Sequence, residues 1–364
     1  MTTEQKLIWL DCDPGHDDFF AILLAAMDPA SRLIGISTGG GNQSLTRVTK
    51  NALDALYLLD LGTSVPCVAG QEHPLMHRIE HCPEIHGESG LETSGDIHIP
   101  AHDLQPVKGK AIEVMACTIL AQTVPVRLVA TGKMTNVALL LQVYPEVMRN
   151  LHSITIMGGA STGGNTHPVA EFNIQNDPEA CQILFNFAHS FEAHAEQQAR
   201  LHEIKEDYDL RVPVVMVPLE VTHTVLVTDE ILKRIEQLRL EAIAANEPSL
   251  FYQLSRSLLL FFAKTYREVF EFHNGPPLHD PVAIFYALYP EQFKSRFLRV
   301  DVECAPSHSR GQTVVDIWKQ TGRPANVTVT TAVDVNKFWD HMLSAIAQVA
   351  KLGVLDRNQP KKVE

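Results

Sequence analysis

The sequence lacks the features that mark membrane and secreted proteins. Its 364 residues contain no uninterrupted apolar run of about 18 residues, the length that a membrane helix needs. The first residues show neither the basic start nor the apolar stretch of a secretory signal. We therefore expect a protein with no membrane partner, located in the cytoplasm, with the nucleus as the alternative compartment.

Paired cysteines and clusters of basic residues are also missing. The 6 cysteines are scattered without a CxxC pair, so the sequence indicates neither a disulfide framework nor a four-cysteine zinc site. With 30 Lys and Arg against 43 Asp and Glu, the formal net charge is -13. No basic cluster is present that would follow a phosphate backbone. Nucleic acid is therefore not an expected partner, whereas a neutral or cationic small molecule is compatible with this charge.

What the sequence does contain is an alternation of short β-branched apolar runs with longer helical patterns. Such an alternation is typical of βαβ units and of a parallel sheet, and it predicts an α/β protein. The predicted strands are residues 7–13, 32–38, 65–69, 127–131, 153–157, 212–219, 297–304, 313–318 and 326–332. The predicted helices are residues 19–27, 45–61, 112–122, 135–143, 177–187, 228–240, 249–270, 281–288 and 335–352.

Four segments stand apart from this alternation. Residues 72–109 are rich in His, Pro and Gly and too long for a simple connector, and long loops of this kind are often functional. Residues 158–173 form a second irregular segment that contains glycines. The polar residues 188–211 are predicted to be a surface insertion. Residues 228–272 carry two helical patterns, which we expect to form a small helical lobe over the sheet.

Four aspartates crowd the end of the first predicted strand. Asp11, Asp13, Asp17 and Asp18 lie in the segment Asp-Cys-Asp-Pro-Gly-His-Asp-Asp, at the carboxyl end of a strand, where open α/β sheets form ligand crevices. Like charges this close would force a proton onto at least one carboxylate unless a cation lies among them. Helix capping would account for one of these aspartates but not for four. Oxygen ligands favour Ca²⁺ or Mg²⁺ over zinc.

Taken separately, the two clearest motifs each leave an alternative open. An Asp-x-Asp after a strand is also typical of phosphatases of the haloacid dehalogenase type, in which the first aspartate is the nucleophile. Such an enzyme needs a late pair of aspartates after a strand, which the sequence does not show. The second motif is His279-Asp280-Pro281 before an apolar helix. By itself, Asp280 as N-cap with Pro281 in the first turn would be an ordinary helix start.

In chain order, the motifs together resemble those of the inosine-uridine preferring nucleoside hydrolases. Besides the acidic segment, the resemblance rests on Gly41-Asn42, His86-Gly87-Glu88-Ser89-Gly90, Thr131-Gly132 with Thr135-Asn136, Met157-Gly158-Gly159, Asn165, Ala170-Glu171-Phe172-Asn173 and His279-Asp280-Pro281. It covers nearly the whole chain, which is most similar to fungal uridine nucleosidases. It implies one domain over residues 1–364, built on a Rossmann-like open sheet. This sheet would be mostly parallel with added antiparallel strands, with the helical lobe near the active site.

The resemblance also assigns a role to each candidate residue. It implies a Ca²⁺ site formed by Asp13, Asp18, Asp280 and the carbonyl oxygen of Thr131, with Asp11 orienting its neighbours through hydrogen bonds. Asp13 would in addition deprotonate the attacking water. His279 and His86 are the candidates for protonating the leaving base, because histidine titrates in the useful range. The implied substrate contacts are Asp17, Asn42, Asn165, Glu171, Asn173, Phe172, Met157 and Tyr266.

The implied reaction is hydrolysis of the N-glycosidic bond of ribonucleosides to free base and ribose, without a covalent enzyme intermediate. Positive charge builds up on C1′ and on the ring oxygen, and nearby carboxylate and amide oxygens stabilise it. Uridine is the expected substrate, in nucleoside salvage, and a homo-oligomer, either dimer or tetramer, is the expected assembly. The alternatives are a purine-preferring or nicotinamide riboside hydrolase of the same family and, more remotely, a non-catalytic ribonucleoside-binding protein.

Overall fold

The predicted alternation of strands and helices builds one large sheet. The structure is a computed structural model that describes residues 5–95, 97–199 and 210–357. The strands in these residues are β1 (Lys6–Cys12), β2 (Ser31–Thr38), β3 (Cys67–Ala69), β4 (Val126–Ala130), β5 (Leu151–Met157), β6 (Ala188–His189), β7 (Val212–Val217), β8 (Phe293–Val302), β9 (Thr313–Asp316) and β10 (Val327–Val333).

Helices follow most of the strands and return the chain to the start of the next one. They are α1 (His16–Met27), α2 (Leu45–Leu58), α3 (Pro83–His86), α4 (Ala111–Leu120), α5 (Thr135–Val143), α6 (Phe172–Asn176), α7 (Pro178–Asn186), α8 (Phe191–Ala199), α9 (Leu219–Thr222), α10 (Asp229–Ala244), α11 (Phe251–Phe270), α12 (Asp280–Leu288), α13 (Val335–Leu352) and α14 (Val354–Arg357). Within the described ranges, none of them is both long and apolar enough to cross a membrane.

The strand order explains where a ligand site can form. The sheet runs β3-β2-β1-β4-β5-β7-β10-β8-β9, with β6 paired to β7. All pairs from β3 to β10 are parallel, whereas β8 pairs antiparallel with both β10 and β9. This confirms the predicted open, mostly parallel sheet with added antiparallel strands. The order of the strands reverses between β1 and β4, and α/β proteins bind ligands at such a switch point, beyond the carboxyl ends of the strands.

Apolar side chains bury both faces of the sheet. Along β1, Ile8, Leu10 and Cys12 belong to one apolar cluster, which also includes residues of α1, α12 and α13. Leu7 and Trp9 belong to a second cluster, which includes residues of α4, α5 and α7. Successive side chains of a strand point to opposite faces, so a strand with the apolar run of residues 7–10 must be covered on both sides. This packing leaves the ends of the strands as the place for polar side chains.

Two helix starts differ from the prediction in a way that matters for the site. Helix α1 begins at His16 rather than at residue 19, so that Asp17 and Asp18 lie in its first turn. Helix α12 begins at Asp280 with His279 at the N-cap position. The interpretation of Asp280 as an N-cap was therefore wrong, and its carboxylate is left for other contacts.

The four segments that stand apart from the alternation have distinct structures. Residues 72–95 and 97–109 contain the short helix α3 and otherwise no helix or strand. Of the predicted insertion, β6 and α8 are described, whereas residues 200–209 lie outside the described residues. Residues 158–173 are irregular until α6 begins, and residues 228–272 contain helices α10 and α11.

Candidate active site

The turn after β1 brings two aspartates back towards the end of the strand. Pro14 and Gly15 separate β1 from α1, and Gly15 occupies the N-cap position. The Gly15 amide donates to Oδ2 of Asp18 over 3.1 Å, which is half of a capping box. Negative charge in the first turn is also favoured by the helix dipole. Asp18 therefore does cap the helix, as the simpler interpretation proposed, but it makes further contacts that capping does not explain.

A cluster of buried carboxylates lies at this turn. One ligand atom each from Asp17, Asp18 and Asp280 lies within 4.8 Å of the others, so these three could hold a metal ion. Thr131, which follows β4, donates from its hydroxyl to Oδ1 of Asp18 over 2.8 Å. The start of α12 thus brings Asp280 to a site whose other members come from the first turn of α1 and from the residue after β4. All of these residues are buried.

Asp13 has one carboxylate oxygen bound and one left without a partner. Its Oδ2 accepts a hydrogen bond of 2.7 Å from the backbone amide of Asn42. Its Oδ1 is buried and has no hydrogen-bond partner. An unpaired buried carboxylate oxygen is unfavourable unless a cation or a proton compensates it. This orphaned oxygen, among other oxygen donors, fits the predicted hard divalent cation.

Burial and, after it, repulsion between the carboxylates raise the pKa values of the cluster. Burial and then the charge of the neighbouring Asp18 raise the pKa of Asp17 to about 7. Burial and then the charge of Asp18 raise the pKa of Asp13 well above its usual range. The pKa of Asp280 is likewise raised by burial and by the charges of Asp17 and Asp18. These carboxylates cannot all ionise side by side without compensation. The site is therefore suited to a cation, whose positive charge would balance their negative charges.

Asp11 lies beside this cluster and is held by neutral groups. Its Oδ1 accepts hydrogen bonds from Ser37 Oγ and, over 2.9 Å, from Asn136 Nδ2. Burial raises the pKa of Asp11 to about 6, although the hydrogen bonds from Ser37 and Asn136 oppose this shift. Its backbone carbonyl accepts from the Thr131 amide over 2.8 Å. Asp11 therefore joins β1 to the neighbouring strand ends, the kind of contact that the predicted supporting role requires.

Most of the predicted site residues line one pocket above the carboxylates. Those that line it are Asp17, Asn42, His86, Thr131, Met157, Asn165, Glu171, Phe172, Asn173, Tyr266, His279 and Asp280. Asp11, Asp13 and Asp18 are buried but do not line this pocket. The prediction missed Cys82, Glu84, Ile85 and Thr166, which also line the pocket, as does Phe270. The signal that could have found the first three was their position directly before His86.

The polar side chains predicted to contact ribose are held by hydrogen bonds to the backbone. Asn173 Nδ2 donates to the Thr131 carbonyl over 2.7 Å and to the Met157 carbonyl over 3.2 Å. Asn42 Nδ2 donates to the Asp13 carbonyl over 3.0 Å. Glu171 caps helix α6, accepting from the Asn173 and Ile174 amides. Burial raises the pKa of Glu171 to about 7, against the effect of these hydrogen bonds. Such fixed donors and acceptors are typical of a pre-organised binding site.

His279 lies between two hydroxyl groups. Its Nδ1 lies 2.7 Å from Thr222 Oγ1, and its Nε2 lies 2.9 Å from the Tyr266 hydroxyl. Burial lowers the pKa of His279 well below its usual range, so the ring is neutral near pH 7 and carries one proton. The contact with Thr222 was missed in the sequence, where the only signal was its position soon after β7.

His86 is held by a histidine of the acidic motif. The His16 amide donates to His86 Nδ1 over 3.1 Å, so a neutral His86 carries its proton on Nε2. His16 Nε2 lies 2.8 Å from the Glu92 carbonyl, and the rings of His16 and His86 stack on Phe262. Burial lowers the pKa of His86 well below its usual range, and His16 lowers it further. The sequence prediction did not include His16, although its place between Gly15 and Asp17 was a signal.

A family profile and individual relatives match this sequence over nearly its whole length. The profile of a family described as "Inosine-uridine preferring nucleoside hydrolase" matches residues 8–340. The "Probable ribonucleoside hydrolase" of Dictyostelium discoideum is 37% identical over 355 residues, which are 95% of this chain and 96% of that protein. A pyrimidine-specific ribonucleoside hydrolase of Photobacterium profundum is 35% identical, over 93% of this chain and 98% of that protein.

A solved structure shows the same fold. The purine-preferring ribonucleoside hydrolase of Gardnerella vaginalis superposes with a TM-score of 0.78 at 27% sequence identity. The match covers 95% of this chain and 100% of that chain. The open sheet and the helices around it are therefore an arrangement already seen in a ribonucleoside hydrolase.

Proposed function

The chain belongs to the inosine-uridine preferring nucleoside hydrolases, which makes it an N-glycosyl hydrolase, and we propose that uridine is its preferred ribonucleoside. The observation that carries the proposal is the meeting of Asp17 and Asp18 with Asp280 from the far end of the chain, at a pocket lined by amide and carboxylate groups. The pyrimidine specificity stated for the Photobacterium relative supports uridine. The purine preference stated for the Gardnerella enzyme supports inosine as the second candidate.

Calcium is the cation that we propose for the acidic cluster. Its ligands would be carboxylate oxygens of Asp13, Asp18 and Asp280 together with the Thr131 carbonyl. That carbonyl already accepts from Asn173 Nδ2, but a carbonyl oxygen has a second lone pair. A bound divalent cation makes water easier to deprotonate and can fix the ribose hydroxyls. The unpaired Oδ1 of Asp13 supports this assignment, because it is a buried oxygen in need of positive charge.

The carboxylates of the site suit a reaction in which the sugar becomes positively charged. Asp13 would accept the proton of the attacking water, since its Oδ1 has no hydrogen-bond partner. Asp17, Asn173 and Glu171 would contact the ribose hydroxyls and its 5′ end. Negative and amide oxygens around C1′ stabilise the oxocarbenium-like transition state more than the neutral substrate. They therefore contribute to rate rather than only to binding.

The departing base needs a hydrogen-bond donor, and two walls of the pocket offer one. On one wall, the neutral His279 can donate its Nε2–H to the Tyr266 oxygen while its Nδ1 accepts from the Thr222 hydroxyl, which leaves the Tyr266 O–H to donate to the base. On the other, His86 has its Nε2–H to donate, because its Nδ1 accepts from the His16 amide. We assign the leaving-group contact to these two walls. Tyr266 would then be the polar contact of the base, with Phe172 and Phe270 as apolar contacts.

We also propose a cellular compartment and an oligomeric state for the protein. All six cysteines are free thiols and all lie in the described residues, which supports a reducing compartment such as the cytoplasm, with the nucleus as the alternative. We further propose a homo-oligomer, a dimer or a tetramer. Sedimentation velocity of the purified protein tests the assembly, and a monomer at micromolar concentration would contradict it.

Turnover of several nucleosides tests the function directly. Purified protein in calcium is incubated with uridine, cytidine, inosine and nicotinamide riboside, and released ribose is measured. We expect the highest kcat/KM with uridine. A higher value with inosine or nicotinamide riboside would replace the proposed specificity. Tight binding of a cationic ribose analogue with no ribose release from any substrate would indicate a binding protein instead.

A further inference from the structure

A buried lysine lies beside the acidic cluster. Lys133 is 3% exposed and belongs to the turn between β4 and α5. Its ammonium group donates to the backbone carbonyls of Gly40, Gln71 and Glu72, the last two over 3.0 and 3.2 Å. An ammonium has three protons to donate, so these three carbonyls satisfy it completely. A buried charge is unfavourable without such partners. Packing alone therefore does not explain why a lysine is buried at this position.

The three carbonyls belong to loops that follow neighbouring strands. Gly40 lies in the loop after β2, and Gln71 and Glu72 follow β3, whereas Lys133 itself follows β4. Strand β1 lies between β2 and β4 in the sheet. Lys133 therefore joins the loops on either side of the end of β1. Asp13 is the residue that comes immediately after this strand end.

These loops enclose the Asp13 carboxylate from both sides. A Cβ atom on Gly41 would lie 1.9 Å from Asp13 Oδ2, and one on Gly132 would lie 2.6 Å from Asp13 Oδ1. Asn42, next to Gly41, donates its amide to Oδ2 over 2.7 Å. The two glycines thus let both loops touch the carboxylate, and the Lys133 side chain joins these loops through its hydrogen bonds to their carbonyls. A shift of either loop would turn Asp13 or expose it.

We propose that Lys133 is a positioning residue for Asp13. By fixing the loop of residues 40–42 against the turn of residues 131–133, it keeps Oδ2 bound to Asn42 and leaves Oδ1 directed at the cation. The positive charge also attracts Asp13 and Asp11, which eases the crowding of like charges. The inference rests on the proposed function in taking Asp13 as a calcium ligand. Lys133 is then a residue outside the ligand set that determines the affinity of the site for calcium.

Calcium affinity in the absence of nucleoside is the direct test. Full-length Lys133→Met and wild type are freed of metal and titrated with calcium by calorimetry. We expect Kd for calcium to rise about 10- to 100-fold, the effect typical of residues that orient metal ligands. With uridine at saturating calcium, kcat should fall while KM changes little, because the ribose contacts remain.

Lys6→Met serves as the matched control. The Lys6 ammonium also donates to a backbone carbonyl, that of Leu288, but at the opposite edge of the sheet, where β1 begins. This variant loses a similar contact, and we expect its calcium Kd to stay within about twofold of wild type. If Lys133→Met does not fold, Lys133→Gln, which keeps two N–H donors, is compared in the same way.

The outcomes separate this inference from the proposed function. Wild-type calcium affinity in the folded Lys133 variant overturns the positioning role, and so does an equal loss of affinity in Lys6→Met. Absence of calcium binding by wild type overturns it as well. A wild type that binds calcium but hydrolyses no nucleoside contradicts the proposed function only, because the comparison of Kd values remains valid.

Discussion

The hydroxyl oxygen of Tyr266 lies 2.9 Å from Nε2 of His279. Tyr266 belongs to the long helix α11, whereas His279 precedes α12 and is followed directly by Asp280 of the acidic cluster. This one contact connects the wall of the pocket to the segment that carries a predicted metal ligand. It also brings a buried hydroxyl group and a buried imidazole to one wall of the pocket, where we propose that the base leaves.

Removing the Tyr266 hydroxyl should slow the departure of a poor leaving group. For Tyr266→Phe we expect kcat on uridine to fall about 100-fold, in the range of a lost proton donor, with little change in KM because the ring remains. Steady-state kinetics on uridine are compared with those on 4-nitrophenyl riboside, whose leaving group needs no proton. An equal loss on both substrates would refute the leaving-group role.

Neutralising Asp280 should affect the metal-free protein and the calcium-bound protein in opposite directions. Burial and then the charges of the neighbouring aspartates raise the pKa of Asp280. Asp280→Asn removes one of these buried like charges, so the metal-free variant should melt at a higher temperature, by about 2 °C for each 1 kcal/mol gained. The rise in melting temperature that calcium produces in wild type should disappear. Asp316→Asn, far along the sheet on β9, is the control that should keep this rise.

Removing the metal should abolish hydrolysis reversibly. After treatment with a chelator and its removal, we expect ribose release from uridine to fall to background, because the buried carboxylates then repel one another without compensation. Calcium should restore the activity. Recovery with zinc alone would show that the oxygen-ligand argument selects the wrong ion, since zinc prefers nitrogen and sulfur ligands.

His152 should make the folded protein less stable in acid. Burial and then the charge of Arg127 lower the pKa of His152 to about 4, whereas an unfolded histidine titrates near 6.5. Between these values the unfolded chain binds the extra proton, so the free energy of unfolding falls as pH falls from about 6.5 to about 4. The slope attributable to one such histidine is at most about 1.4 kcal/mol per pH unit.

Urea unfolding at pH 7 and pH 5 measures this effect. The loss of stability between the two pH values should be smaller in His152→Gln than in wild type. His308→Gln, at an exposed position, is the control and should lose as much as wild type. Equal losses in all three proteins would mean that His152 is protonated in the folded state.

Elements of regular structure were largely predictable from local patterns. The bounds predicted for α5 and α13, residues 135–143 and 335–352, agree with the structure at both ends. Apolar residues at helical spacing determine such elements, and this information lies within a few turns of chain. The first strand was predicted to within one residue at each end. Four aspartates at its end were sufficient to predict an acidic site, because the carboxyl end of an inner strand is where α/β sheets bind ligands.

The partners of the site residues depended on contacts between distant segments. Asp280 could be interpreted as a helix cap from the sequence alone, and only the packing of α12 against α1 brings it to Asp17 and Asp18. The hydrogen bonds of His279 with Thr222 and of His86 with the His16 amide join residues 57 and 70 positions apart. No local pattern records such a pairing.

By itself, then, the sequence determined the α/β class, the family and the acidic end of the first strand, since these follow from periodicity and from motifs of adjacent residues. Tertiary structure alone decided which oxygen of Asp13 remains unpaired and which carbonyls surround Lys133. The physical reason is that hydrogen bonds act over about 3 Å. Whether a buried charge is satisfied therefore depends on loops that only the folded sheet brings within that distance.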